Sequence, residues 1–345
     1  MQIITVGLDL AKRIFQVHAV DASGSVVVRK ALRRSQVLPF FTKLPACLIG
    51  MEACATSHHW ARELTELGHE VRLMPPSYVK PYVKRGKNDA VDAEAICEAV
   101  TRPTMRFVAV KSAAQQAALS LHRARSLLVK QRTQIVNMIR GQLAELGIDI
   151  PQGLGRALGL ARQIAAKEAT PDVPAMASQV LGLLCGQVLD THARLQAIDR
   201  SIIALQRTDD VARRLSTIPG IGPVGATALA ASVADPEQFR SGREFAACLG
   251  LTPSQNSNGG KDRLGRITKK GDRYLRKLLV VGATSLIRRT RYKPETADPR
   301  LVALLARKPL RVASVAMANK MARVVWAIMA RGETYQSRHA PSLAL

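Results

Sequence analysis

The 345-residue sequence predicts a mixed α/β domain, then a long helical hairpin, then a mainly helical and strongly basic C-terminal region. Three observations point there. Over residues 1–110, apolar runs of strand length alternate with stretches of helical spacing, the pattern of a sheet covered by helices. Over 111–210 the spacing is helical, in two long stretches. From 211 to 345 short helical segments are broken by glycines, and cations accumulate.

Taken in order, Ile3 to Asp9 reads as a buried strand ending in a carboxylate. Residues 14–20 and 25–31 alternate apolar and polar around Asp21-Ala22-Ser23-Gly24, which predicts a hairpin. Ser35 is placed to cap a short helix reaching Leu44. Cys47 to Glu52 is a second buried strand that ends in a carboxylate. A helix from Ser57 stops at Gly68, a strand from Glu70 to Met74 is halted by Pro75-Pro76, and a helix covers Asp89 to Val100. Further on, Leu121, Ala124, Leu128, Ile135, Met138, Leu143 and Leu146 keep helical spacing, as do Val180, Leu184, Val188, Leu195, Ile198, Ile202 and Leu205. Joined by a glycine-rich link from Gly147 to Gly159, these read as a helical hairpin or coiled coil, or as a bundle within one domain. In the tail, Asp298-Pro299 and Lys308-Pro309 mark loops or helix starts.

Charge narrows the function classes. The chain carries 51 Lys and Arg against 26 Asp and Glu, a net of +25, with 20 cations against 5 acids from Gln255 onward. Such a charge repels itself unless a polyanion neutralises it, so nucleic acid is the expected partner and an anionic membrane the alternative. No apolar run reaches about 18 residues and no signal pattern opens the chain, so a cytosolic or nucleoid location is expected. The five cysteines form no C-x-x-C pair and are expected to be buried small hydrophobes rather than zinc ligands or disulfides.

Carboxylates suggest the chemistry. Asp9 and Glu52 end two apolar runs, which places them at a sheet rim, where sites are built. Asp89 and Asp92, spaced i, i+3, share one helix face. Each alone is an ordinary turn or helix-start residue; an aspartate pair there more often serves capping and the helix dipole. Brought together, four carboxylates need a cation among them, and oxygen-only ligands suit Mg²⁺ or Mn²⁺. Two such ions can activate an attacking oxygen and stabilise a leaving one in phosphoryl transfer. The pattern G-x-D at 7–9, Glu52 and K-N-D-A-V-D-A from Lys87 resembles a RuvC-like nuclease core of the ribonuclease-H fold. That resemblance implies the fold and a two-metal role for the four residues.

Two further segments stand out. Leu215 to Ala226, with Pro219-Gly220-Ile221-Gly222, resembles a helix-hairpin-helix element. Gly220 and Gly222 would let the backbone approach a phosphate at the following helix start, without reading sequence. A tight turn used only for packing reads the same way. A polar loop then runs from Thr252 through Ser254, Ser257 and Gly259-Gly260, among Lys261, Arg263, Arg266, Lys269 and Lys270. Cations beside a serine hydroxyl would stabilise its alkoxide and the charge developing on phosphorus. They are equally a solvated basic surface.

The spans Asp9 to Asp92 and Ile218 to Leu279 together resemble the DEDD-type transposases of the insertion-sequence 110/1111 family. The resemblance implies that the N-terminal carboxylates hold Mg²⁺ and that a serine in the C-terminal loop attacks DNA to form a covalent phosphoserine link. It also implies a multimer whose sites combine two subunits, guided by an element-encoded RNA that pairs with donor and target DNA. The family often has two small polar residues before glycine, where this chain has Ser257-Asn258; asparagine cannot be the nucleophile, so the carry-over favours Ser257, with Ser254 behind it. Rival readings are a RuvC-like structure-specific endonuclease that needs no serine, and a non-catalytic nucleic-acid-binding protein built on the glycine hairpin.

Overall fold

The computed structural model describes residues 2–84, 88–166, 168, 172–256, 263–293 and 298–336. It divides into two compact units: residues 1–116 with 231–240, and 117–230 with 241–345.

The first unit is built on a five-stranded sheet in the order β3-β2-β1-β4-β5. Its strands are β1 (Thr5–Asp9), β2 (Ile14–Val20), β3 (Val26–Arg33), β4 (Leu48–Glu52) and β5 (Glu70–Met74). β1, β2 and β3 pair antiparallel, while β4 lies parallel to both β1 and β5. Asp21 makes the β2–β3 turn by accepting from the backbone of Ser23 and Ser25, an Asx turn of the kind its sequence predicts. The period-two alternation of β1 sends Val6 and Leu8 to one face and Gly7 and Asp9 to the other. The first face forms the main core with Phe15, Val17, Ile49, Met51 and Leu73, covered by Phe41 of α1 (Val37–Phe41) and by Trp60 and Leu64 of α2 (Ser57–Glu66). The expected cap at Ser35 is not formed. That helix is entered through a 3-10 turn at Arg34–Gln36, and the Gln36 side chain accepts from the Arg33 backbone N–H instead.

After α3 (Pro76–Val79), helix α4 (Asp89–Val100) covers the second face. The fit depends on two glycines. A Cβ at Gly7 would collide with the Ala93 carbonyl oxygen and come within 2.5 Å of the Cys97 nitrogen; one at Gly50 would lie 2.7 Å from Val100 Cβ. Glycine lets the helix press directly on the strand backbones.

In the second unit, α5 (Ala113–Glu145) and α7 (Ala175–Thr208) are bridged by Arg125–Asp199 at 2.6 Å and Arg132–His192 at 3.0 Å. These pairs rise on one helix as they fall on the other, so the two helices run antiparallel. The segment expected to be a glycine-rich link holds a further helix, α6 (Leu154–Ala165). Gly147 and Gly153 take the positive φ of turn glycines, while Gly155 and Gly159 lie within α6 with open space where a side chain would be. Packing decides this helix: Ala157, Leu158 and Ala161 join Ile139, Leu143, Cys185 and Val188 in one core.

The rest is helical: α8 (Asp210–Leu215), α9 (Pro223–Ser232), α10 (Gly242–Cys248), α11 (Arg273–Tyr292), α12 (Pro299–Arg307) and α13 (Leu310–Arg331), with an antiparallel ribbon of β6 (Pro253–Gln255) and β7 (Leu264–Ile267). α12 and α13 start at the two predicted prolines, and Asp298 caps α12 by accepting from the Arg300 N–H. By length and composition alone α13 is apolar enough to cross a membrane, although Arg311, Lys320 and Arg323 interrupt its apolar residues. Its buried residues, Ala313, Ser314, Ala318, Met321, Ala322 and Val325, recur at helical spacing and pack on α10 and α11. Cys47, Cys97 and Cys185 are buried as expected, but Cys54 and Cys248 are exposed.

Candidate functional site

β1 and β4 are in register at Gly7↔Gly50. Asp9 and Glu52 each lie two residues beyond that pair. They therefore end neighbouring strands on the same side as the two glycines, the side that α4 covers. Asp89 and Asp92 stand in the first turn of α4. The cap of this helix is Asn88, whose side chain accepts from the Ala90 N–H at 3.0 Å. Capping therefore does not explain the two aspartates, although they do complement the helix dipole. Asp9, Glu52 and Asp92 are half-buried and Asp89 is exposed.

Electrostatics ties the group together. Burial pushes the Asp9 carboxyl up to about 6, and the charges of Asp92 and Asp89 add to the rise; only a backbone hydrogen bond from Leu10 pulls it down. Burial also raises Glu52, followed by the charges of Asp9 and Asp92. Each group is thus pushed towards its neutral form by being dry and by facing other carboxylates. Hard oxygen donors that repel one another fit a divalent cation in kind. Among the described residues, however, no three acidic, His or Cys side chains stand close enough to form a ready cage.

A stability test follows from Asp9. Its pKa is higher in the fold than the ordinary 3.8. Its contribution is therefore fully present below about pH 4 and lost as pH rises through about 6. In EDTA, the melting temperature of Asp9→Asn will gain on the unsubstituted protein between those pH values. Thermal melts across pH 4 to 7 measure the difference, and equal shifts at every pH would remove the assigned cause.

Of the C-terminal candidates, Ser257 and Lys261 lie outside the described residues. Arg263, Arg266, Lys269 and Lys270 are exposed on or beside the ribbon. Ser254 is committed to strand pairing: its hydroxyl donates to the Arg266 carbonyl at 3.1 Å and faces Gly265, where a Cβ would stand 2.7 Å away. Gly220 has the positive φ of a tight turn, but its close approach is internal. A Cβ there would lie 2.8 Å from the Gly282 carbonyl of α11, whereas Gly222 faces open space.

Sequence reasoning missed how the ribbon is rooted. Gly250 presses on the backbone of Lys269 and Lys270, Gly271 presses on the Cys248 carbonyl, and Arg276 donates to the carbonyls of Leu249 and Lys270 at 2.8 Å each. Arg276, in the first turn of α11, is the clamp. A buried polar set was also missed. His122 contacts Tyr274 Oη and Thr227 Oγ1 at 3.1 Å each, and burial lowers its pKa to about 4, which keeps it neutral. No local sequence signal marks a lone histidine among helical residues as a buried hub.

Two family models match the chain. One, of the DEDD type named for IS110 and described as Transposase, covers residues 6–148; the other, described as Transposase IS116/IS110/IS902 family, covers residues 212–297. Among similar proteins, a "Probable family 20 transposase" of Pseudomonas aeruginosa is 49% identical over 97% of this chain and 99% of its own length. The "Transposase for insertion sequence element IS1328" of Yersinia enterocolitica is 37% identical over 96% and 98%. That for IS1111A of Coxiella burnetii is 37% identical over 96% and 90%.

Proposed function

The chain belongs to the IS116/IS110/IS902 transposase family, and from that premise we propose that it cuts and rejoins DNA strands with Asp9, Glu52, Asp89 and Asp92 as metal ligands and Ser257 as nucleophile. The observation that carries the reading is the mutual repulsion of carboxylates from β1, β4 and α4 at one sheet rim. Bound Mg²⁺ or Mn²⁺ would supply Lewis-acid activation of the scissile phosphate. The four carboxylates would hold that charge in place. The Ser257 hydroxyl attacks phosphorus: its O–P bond forms, the P–O bond to one deoxyribose breaks, and the proton passes to the departing oxygen. One phosphodiester is exchanged for another, so rejoining needs no nucleotide cofactor. Arg263, Arg266, Lys269 and Lys270, with Lys261, offset the charge that develops on phosphorus.

In the same reading Gly220 and Gly222 form a helix-hairpin-helix contact to duplex backbone, α5 and α7 provide the helical hairpin for assembly, and the protein acts in the cytoplasm as a homo-oligomer. A guide RNA pairs with donor and target DNA.

The test is metal removal. Incubated with DNA carrying the element's ends and the cognate RNA, the protein should produce strand breaks and a protein–DNA adduct in Mg²⁺ or Mn²⁺, and neither in EDTA. Breaks that form equally well in EDTA would remove the role given to the carboxylates.

A further inference from the structure

The N-terminal unit also holds a concave feature. A groove of about 710 Å³ is lined by Lys12, Arg13, Arg33, Arg34, His59 and Trp60. Sheet topology sets these at one rim. Lys12 and Arg13 occupy the turn after β1; Arg33 ends β3, paired with Ile14 at the start of β2; His59 and Trp60 lie in the first turn of α2, which follows β4. This is the rim at which β1 and β4 end in Asp9 and Glu52. Asp9 and Arg13 are four residues apart, so the chain itself keeps them within about 14 Å.

Two independent features mark the groove. Its four Lys and Arg side chains are exposed, and among the described residues none has an ion-pair partner. The nearest acid on the lining helix, Glu63, pairs with His59 at 3.5 Å. Its floor is Trp60, 3% exposed, whose indole N–H is buried without an acceptor and whose ring lies 5.0 Å beneath the Arg34 guanidinium. A buried donor without an acceptor is uncommon in a native fold. Clustered cations around a groove, with an unpartnered N–H buried in its floor, match an anion with several oxygens.

We propose that this groove is a backbone-phosphate site for the DNA strand presented to the carboxylates, an assignment that rests on the DNA-cutting reading above. It grips phosphate without reading bases. Its place on the rim that carries Asp9 and Glu52 favours DNA over RNA.

The test uses the full chain in EDTA, where no cutting occurs, with a labelled single-stranded DNA and the RNA of the same sequence, titrated at several salt concentrations. Arg13→Ala/Arg34→Ala should weaken DNA binding at least tenfold and flatten the plot of log affinity against log salt by about 1.4. Lys30→Ala/Lys43→Ala, which removes the same charge elsewhere on this unit, should change affinity less than twofold. Trp60→Phe, which keeps a ring and removes the N–H, should weaken DNA binding about threefold to tenfold with the salt slope unchanged. Should the arginine pair fail to fold, Arg13→Gln carries the test with half the slope change. The proposal is overturned if the groove variants match the lysine control, or if only RNA binding falls. Failure of the DNA-cutting reading looks different: intact binding without metal-dependent breaks.

Discussion

Asp89→Ala will lower metal-dependent strand cleavage by about a thousandfold or more and leave DNA binding in EDTA within twofold. Asp89 is exposed at the first turn of α4, with the helix cap provided by Asn88, so its removal costs the fold little. What it removes is one negative oxygen pair from a cluster in which Asp9 feels both Asp92 and Asp89. A divalent ion held by three carboxylates instead of four is bound more weakly and placed less well, and both losses act on the reacting phosphate. Single-turnover cleavage rates at several Mg²⁺ concentrations check this. Unchanged rates at low Mg²⁺ would take Asp89 out of the metal site.

Ser257→Ala will abolish the covalent protein–DNA adduct, seen as loss of the slowly migrating band in denaturing gels. Ser254→Ala will leave it in place. The fold already commits one of them. Ser254 donates to the Arg266 carbonyl across the ribbon, in the space left by Gly265. A hydroxyl spent on pairing strands is a poor nucleophile. An adduct that survives Ser257→Ala and disappears with Ser254→Ala would reverse the assignment.

How much of this could be read in the sequence varies with what bounds each element. Glu70–Met74 and Asp89–Val100 match their predicted limits because Gly68, Pro75 and Asn88 close them locally. The strands of the sheet match because alternation and turn chemistry are local too. The convergence of Asp9 and Glu52 was suggested by strand ends; the register that sets them side by side came only with the Gly7↔Gly50 pairing. The rest was not legible where distant packing decides. α6 exists because Ala157, Leu158 and Ala161 find a core, despite glycines that read as a link. Gly220 reads as an opening towards phosphate, and its nearest neighbour is Gly282, sixty-two positions on. The basic groove draws its cations from two separated segments, Lys12-Arg13 and Arg33-Arg34, which become neighbours only through the hairpin.

The rooting of the β6–β7 ribbon has a consequence of its own. Two glycines and one guanidinium bolt its base to the start of α11, so the two strands are seated on that helix as in a fixed chuck. Arg263 and Arg266, exposed on or beside those strands, are thus cations on an anchored platform and not on a swinging arm.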